Sequence, residues 1–146
     1  MQVRIATQDD EAEIIRLLKE FMEFEKVDLL SDEEFRSVFT TVLAMPERMQ
    51  FLVAETDQIV GMLTVLWGYS TWKGKPVATL EDVYVRPDMR GCGIATALLA
   101  HAFGLAKERG CARVDLVTET ENYPAQALYK KAGFELVPRV PFTKKL

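Results

Sequence analysis

One corner of the chain limits its possible folds more than any other feature. The run Thr79-Leu80-Glu81-Asp82-Val83-Tyr84-Val85 passes through Arg86-Pro87-Asp88-Met89-Arg90-Gly91-Cys92-Gly93 and opens directly into Ile94-Ala95-Thr96, the start of a helical apolar stripe. A strand feeding a helix through a short glycine-containing loop belongs to a sheet covered by helices. The first N–H groups of such a helix have no intrahelical partner, and the helix dipole adds partial positive charge there. The corner is therefore suited to a phosphate even without a lysine. Gly91 and Gly93 lack a Cβ and let the backbone approach an anion closely, while Arg90 adds a full positive charge. Two common phosphate motifs do not fit. A dinucleotide fingerprint needs a third glycine where Thr96 stands, and a P-loop needs Gly-Lys-Ser/Thr.

The remaining segments supply the rest of that sheet. Val3–Ala6 alternates like a short strand, and Thr7 with Asp10 has capping-box spacing ahead of an amphipathic helix running to about Val27. Its seam is Ile14, Leu18 and Phe21, which Glu25 continues one turn later. A second helix starts at Ser31, with Glu34 in the capping-box position, and ends before Pro46. Met49–Glu55 and Ile59–Tyr69 read as strands joined by a turn, and Val77–Val85 as a third after Lys73-Gly74-Lys75-Pro76. The phosphate-loop helix should run from Gly93 to Arg109 and stop at Gly110. Ala112–Thr118 reads as a strand, Pro124–Ala132 as a helix ended by Gly133, and Phe134–Val137 as a last strand confined to an edge by Pro138 and Pro141. The expected fold is α/β (α+β), a mixed central β-sheet flanked by helices on both faces in the order β-α-α-β-β-β-α-β-α-β. With 146 residues and no repeat, linker or composition break, residues 1–146 read as a single domain.

Composition removes several function classes. Cys92 and Cys111 are too few for a disulfide framework or a four-ligand zinc site, so no metal is expected. No apolar run reaches the roughly 18 residues of a membrane span and no secretory signal opens the chain, which predicts a cytoplasmic protein without a membrane partner. A net charge of −4 speaks against nucleic acid as partner. The charge is unevenly spread. Residues 9–34 hold eleven acids against Arg16, Lys19 and Lys26, whereas 86–113 and 130–146 are basic. These segments are either solvated helix faces or a cation-attracting front joined to an anion-attracting back.

Two motifs bring a family into view. Arg90-Gly91-Cys92-Gly93-Ile94-Ala95 resembles the Arg/Gln-x-x-Gly-x-Gly/Ala loop of the GNAT superfamily of N-acetyltransferases. Asn122, Ala125, Leu128 and Tyr129 with Gly133-Phe134 resemble its second signature, Asn-x-x-Ala-x-x-Leu-Tyr followed by Gly-Phe. The resemblance implies acetyl-CoA as cosubstrate, with its diphosphate at Arg90, Gly91, Cys92, Gly93, Ile94, Ala95 and Thr96. It further implies that the pantetheine arm pairs with Val83, Tyr84 and Val85, near Asn122 and Ala125. Trp72-x-Gly-Lys and Leu80-Glu81-Asp82 look like the diamine and polyamine N-acetyltransferase branch, and Phe24-Glu25 is similar to an amine-contacting pair there. That likeness implies Phe24, Glu25 and Glu81 on the side of a small-molecule amine and Tyr129 as proton donor, while the superfamily resemblance implies a homodimer.

The chemistry of these side chains agrees with such roles and leaves alternatives open. An alkyl ammonium, with a pKa of about 10.4, must lose a proton before it can attack a carbonyl. A carboxylate can hold the cation and then take that proton. Glu81 suits this because both faces of its strand carry apolar residues, Val77, Val83 and Val85 on one and Leu80 and Tyr84 on the other, though a structural ion pair would also account for it. Alternation along a regular strand puts Asp82 on the opposite face, so only one of the two should line the site. Tyr129 is a proton donor to a leaving thiolate or a core aromatic. Asn122 orients the pantetheine or caps its helix. Trp67, Tyr69 and Trp72 are packing or an amine-binding wall. His101 reads as structural, and Cys92 as oxidisable but not as an acyl carrier. The expected reaction is transfer of acetyl from acetyl-CoA directly to a primary amine of a diamine, polyamine or lysine-like compound. The alternatives are a protein lysine or N-terminal amine as acceptor, or a non-catalytic acyl-CoA-binding sensor.

Overall fold

A computed structural model describes residues 1–146. Five strands form one sheet in the order β1-β2-β3-β4-β5: β1 Gln2–Ile5, β2 Met49–Glu55, β3 Ile59–Ser70, β4 Lys75–Val85 and β5 Val114–Leu116. The first four pair antiparallel, and β5 joins β4 in parallel. Four helices cover it: α1 Glu11–Phe24, α2 Asp32–Ala44, α3 Ile94–Glu108 and α4 Tyr123–Lys131.

Strand alternation divides the interior into two cores. Phe51 and Val53 of β2 pack with Ile14, Leu17 and Leu18 of α1 and Phe35 and Phe39 of α2. Leu52 and Ala54, one residue out of phase, pack on the other face with Leu98, Leu99, Ala102 and Ala106 of α3. Helices therefore lie on both faces, as the sequence predicts. The anticipated α3 stripe recurs as Ile94, Leu98 and Ala102, with Leu105 at its half-buried margin. Helix starts are set locally. Glu34 accepts a bond from the Ser31 N–H at 2.7 Å, and the Ser31 hydroxyl accepts one from the Glu34 N–H at 3.2 Å. The Asp10 carboxylate accepts from the Thr7 N–H at 2.7 Å and pairs with Arg4, which also holds Glu55 across the sheet.

Four expectations need correction. First, α1 ends at Phe24 instead of Val27, because Lys26 turns left-handed (φ 56°) and the Val27 N–H closes back on the Met22 carbonyl. Second, β5 is limited to Val114–Leu116, the only stretch that remains beside β4. Third, the last strand, Phe134–Val137, does not form. Pro138 and Pro141 offer no N–H, and past Phe134 the tail's single backbone bond is local, from the Arg139 N–H to the Val137 carbonyl. Fourth, β4 does not alternate regularly through Glu81-Asp82. Thr64 faces Glu81 and Met62 faces Tyr84, so Leu63 alone opposes both Asp82 and Val83. This is a β-bulge, with Asp82 left-handed at φ 51°.

Candidate active site

The bulge creates the site. β4 pairs with β5 only at Ala78, Thr79 and Leu80, and beyond that point the two strands part. The edge of Val83, Tyr84 and Val85 facing β5 is therefore free for an extended ligand, while their opposite edge remains tied to β3 through Met62 and Gly61. Where β4 ends, Gly91 (φ 78°) and Gly93 (φ 81°) turn the chain into α3. Both conformations are left-handed and favour glycine. The main-chain N–H groups of residues 91–96 have no partner within the chain, and the first helical bond runs from the Ala97 N–H to the Gly93 carbonyl. A run of unpartnered main-chain donors thus coincides with a helix N-terminus, which fits a diphosphate.

Sequence reading missed the residue that seats this loop. A Cβ at Gly61 would lie 3.1 Å from Ile94 Cγ2 and from the Tyr84 carbonyl, and 3.3 Å from Val85 Cγ2. Glycine on β3 lets the first residue of α3 press this close to the strand; a Cβ there would push its neighbours back by a few tenths of an ångström. A lone glycine inside a strand pattern was the available signal.

Beside the parted strands is a cleft of about 150 Å³. Glu25, Glu81, Asp82 and Glu119 line it with Phe21, Asn122 and Tyr129, and no cationic side chain does. The bulge brings both Glu81 and Asp82 to this wall, which corrects the expectation that only one would reach it. Asp82 is half-buried, accepts a bond from the Thr64 hydroxyl at 2.9 Å, and was missed along with Glu119. Desolvation raises the Glu81 carboxyl above its ordinary range, and the neighbouring Asp82 charge raises it further. Burial also raises Asp82, with the Thr64 bond opposing. Burial raises the Tyr129 phenol, and the Glu25 charge adds to it. The tyrosine therefore keeps its proton at neutral pH, as a donor must.

Other expected residues are placed less simply. Asn122 caps α4, its Oδ1 accepting from the Ala125 N–H at 3.3 Å, and it lines the cleft as well. Phe24 turns away toward Arg90, and Phe21 holds the cleft wall one turn earlier. Arg90 does not extend over the loop. Its Nε donates to the Val85 carbonyl at 3.0 Å, and its guanidinium carbon lies 4.7 Å from the Phe24 ring centre. Cys92 is exposed between the two glycines. The three aromatics are not gathered at the cleft. Trp67 packs under Arg109 and donates to Gln50, while Tyr69 and Trp72 stand exposed at the β3–β4 turn. No helix is long and apolar enough to cross a membrane.

The profile of the acetyltransferase (GNAT) family matches residues 12–134. Thialysine N-epsilon-acetyltransferase of Bos taurus is 30% identical over 147 residues, covering 91% of this chain and 83% of the relative. The enzyme of that name from Mus musculus is 34% identical over 146 residues, covering 90% and 82%. The crystal structure of a predicted acetyltransferase with acetyl-CoA from Clostridium acetobutylicum superposes with a TM-score of 0.79 at 25% identity, covering 98% of this chain and 95% of that one.

Proposed function

The chain belongs to the acetyltransferase (GNAT) family and is an acyl-CoA-dependent N-acetyltransferase; from that premise we propose that its acceptor is the primary amine of a small cationic molecule, a diamine, polyamine or lysine-like compound. The observation that carries this reading is the cleft beside the parted strands, with four carboxylates and no cation in its wall. Such a wall attracts an alkyl ammonium and repels anions. The bovine and mouse relatives are named for an N-epsilon amine, which is an acceptor of this kind.

Each residue then has a part. The N–H groups of residues 91–96 hold the diphosphate of acetyl-CoA, and the free edge of Val83, Tyr84 and Val85 receives the pantetheine arm, with Asn122 and Ala125 beside it. When bound, acetyl-CoA supplies a thioester whose carbonyl carbon takes the amine nitrogen and whose sulfur leaves as the thiol. Glu25, Glu81 and Asp82 hold the ammonium. Glu81, directly or through water, accepts the proton that the nitrogen must lose before it can form the amide bond. Its raised pKa, set by desolvation and by the neighbouring Asp82 charge, makes it a better proton acceptor than an ordinary carboxylate. Tyr129 donates its proton to the departing sulfur and recovers one from solvent. The balance is ammonium plus thioester to amide, thiol and one proton: of the two protons the nitrogen loses, Glu81 passes the first to solvent, and the second leaves as the adduct collapses, offsetting the one that Tyr129 gives to the sulfur and regains.

A free-thiol release assay tests this reading with putrescine, cadaverine, spermidine, lysine, thialysine and a lysine peptide as acceptors. Small diamines or lysine-like amines should accelerate release well above the peptide. If no amine accelerates release while CoA still binds, the amine-transfer reading fails; if only the peptide does, the small-acceptor reading fails. The proposal extends to one domain over residues 1–146, acting in the cytoplasm as a homodimer. Sedimentation equilibrium of the full chain checks the last point.

A further inference from the structure

We propose that Arg90 is a positioning residue for the acceptor wall, tying the phosphate loop to the last turn of α1, and that its guanidinium is not a ligand of the diphosphate. This rests on the amine-transfer reading above.

The side chain is committed at several points. Its Nε is bonded to the Val85 carbonyl at 3.0 Å, which fixes the guanidinium plane against the end of β4. Its guanidinium carbon lies 4.7 Å from the Phe24 ring centre and 5.7 Å from that of Tyr84, both within cation–π range. No carboxylate pairs with it, whereas Arg86 in the same loop is paired with Asp88. The residue is exposed, so water solvates the side of the guanidinium away from the two rings, and the rings set its direction on the protein side.

The other side of the contact needs Arg90 equally. Phe24 is the last residue of α1 and is 53% exposed; its one aromatic neighbour is Tyr84, at 6.4 Å between centroids. Directly after it come Glu25, which lines the cleft, and the left-handed Lys26. Two ring contacts therefore fix the position of Glu25 laterally: Phe21 on Tyr84 at 5.8 Å, and Phe24 under Arg90. Arg90 stands one residue before Gly91, the first of the loop's unpartnered N–H groups. It thus connects the donor half of the site to the carboxylate at the acceptor rim. Lysine could keep the charge over the ring but has no Nε–H to hold Val85.

The test uses the full chain with Arg90→Met, Arg90→Lys and Phe24→Ala. CoA affinity is read by calorimetry, amine KM and kcat by thiol release, and exchange of the Glu25 amide by hydrogen–deuterium measurements. Arg90→Met and Phe24→Ala should each raise the amine KM about fivefold, the scale of one lost cation–π contact. Their kcat and CoA Kd should stay within about twofold of wild type, and the double variant should be no worse than either single one. Arg90→Lys should recover part of the loss. Exchange of the Glu25 amide, which is bonded to the Phe21 carbonyl, should accelerate in Arg90→Met with no acceptor present. A tenfold rise in CoA Kd with unchanged amine KM and unchanged exchange would make Arg90 a phosphate ligand and overturn the proposal. If the wild type acetylates no amine, the functional reading has failed on its own, and the exchange and CoA measurements still decide whether Arg90 holds α1.

Discussion

Replacing Gly61 by alanine should damage nucleotide binding from a residue buried beneath the loop. The added methyl would lie 3.1 Å from the Tyr84 carbonyl, which belongs to the sheet, and 3.1 Å from Ile94 Cγ2. The carbonyl is held by its strand, so relief has to come from Ile94, which is 2% exposed and begins α3. Overpacking of this sort costs about 1–3 kcal/mol. At about 4 °C per kcal/mol for a domain of this size, Tm should fall by roughly 4–12 °C. A shift of a few tenths of an ångström at Ile94 also moves the N–H groups meant for the diphosphate, and CoA Kd should rise about three- to tenfold, a loss of order 1 kcal/mol. Gly68→Ala, seven residues on in the same strand, is the control, because its nearest atom beyond the chain neighbours is Val77 Cγ2 at 3.5 Å, an ordinary contact. Differential scanning fluorimetry and calorimetry with CoA on both variants measure the two effects. Equal behaviour of Gly61→Ala and Gly68→Ala would refute the packing argument. A lower Tm with unchanged CoA affinity would refute the link from Ile94 to the loop.

Other consequences can be checked with single variants. Tyr129→Phe should lower kcat about a hundredfold or more while leaving CoA Kd within about twofold, since only proton donation is lost; parallel losses in both would show packing instead. Asp82→Asn keeps a residue type that tolerates the left-handed turn and can still accept from Thr64. The Asp82 carboxyl is raised in the fold, so its ionised form costs stability at neutral pH, and that cost disappears as pH falls through the folded value. Asp82→Asn should therefore have the higher Tm at pH 7, converge with wild type in acid, and bind amine more weakly; a lower Tm at pH 7 contradicts this. Asp10 is shifted the other way, lowered chiefly by its bond to Arg4. Its contribution is present above the unfolded carboxylate value of about 4 and is lost as pH falls through the lower folded value. Asp10→Asn should cost about 2 kcal/mol at pH 7 and progressively less in acid, as urea titrations across pH would show.

Much of the architecture was legible because local signals and tertiary needs agree. The capping pair Ser31 and Glu34, the Gly110 stop and the two-phase burial of β2 each follow from a few neighbouring residues. The phosphate corner was legible because glycine spacing and the onset of a helical stripe coincide. What failed depended on partners distant in sequence. The tail after Phe134 has apolar residues at strand-like spacing, but alternation does not supply a strand to pair with. The shortness of β5 follows from the divergence of β4, which no signal in Ala112–Thr118 reveals. Asp82 and Glu119 were missed for the same reason: a bulge cancels the alternation rule, and a loop acid has no periodicity to betray it. Arg90 was legible as a residue of the corner but not in its direction, which is set by Phe24, sixty-six positions earlier.

The bulge explains why the cleft carboxylates and the free strand edge occur together. An inserted residue between Glu81 and Tyr84 increases local twist, which turns the end of β4 away from β5 and exposes the backbone groups of Val83, Tyr84 and Val85. The same insertion puts Asp82 in a left-handed conformation and turns its carboxylate to the side already occupied by Glu81. A regular strand would give neither result: β5 would stay paired, and Asp82 would face the other core. Both consequences are unfavourable in the free protein, since one leaves backbone groups unpaired and the other brings like charges together in a desolvated place. Both are relieved by the ligands of the proposed reaction, an extended amide-bearing arm along the edge and a cation between the acids. A residue deletion that restored regular alternation in β4 should therefore stabilise the sheet and abolish acetyl transfer together. A deletion variant that kept turnover would separate the bulge from the chemistry.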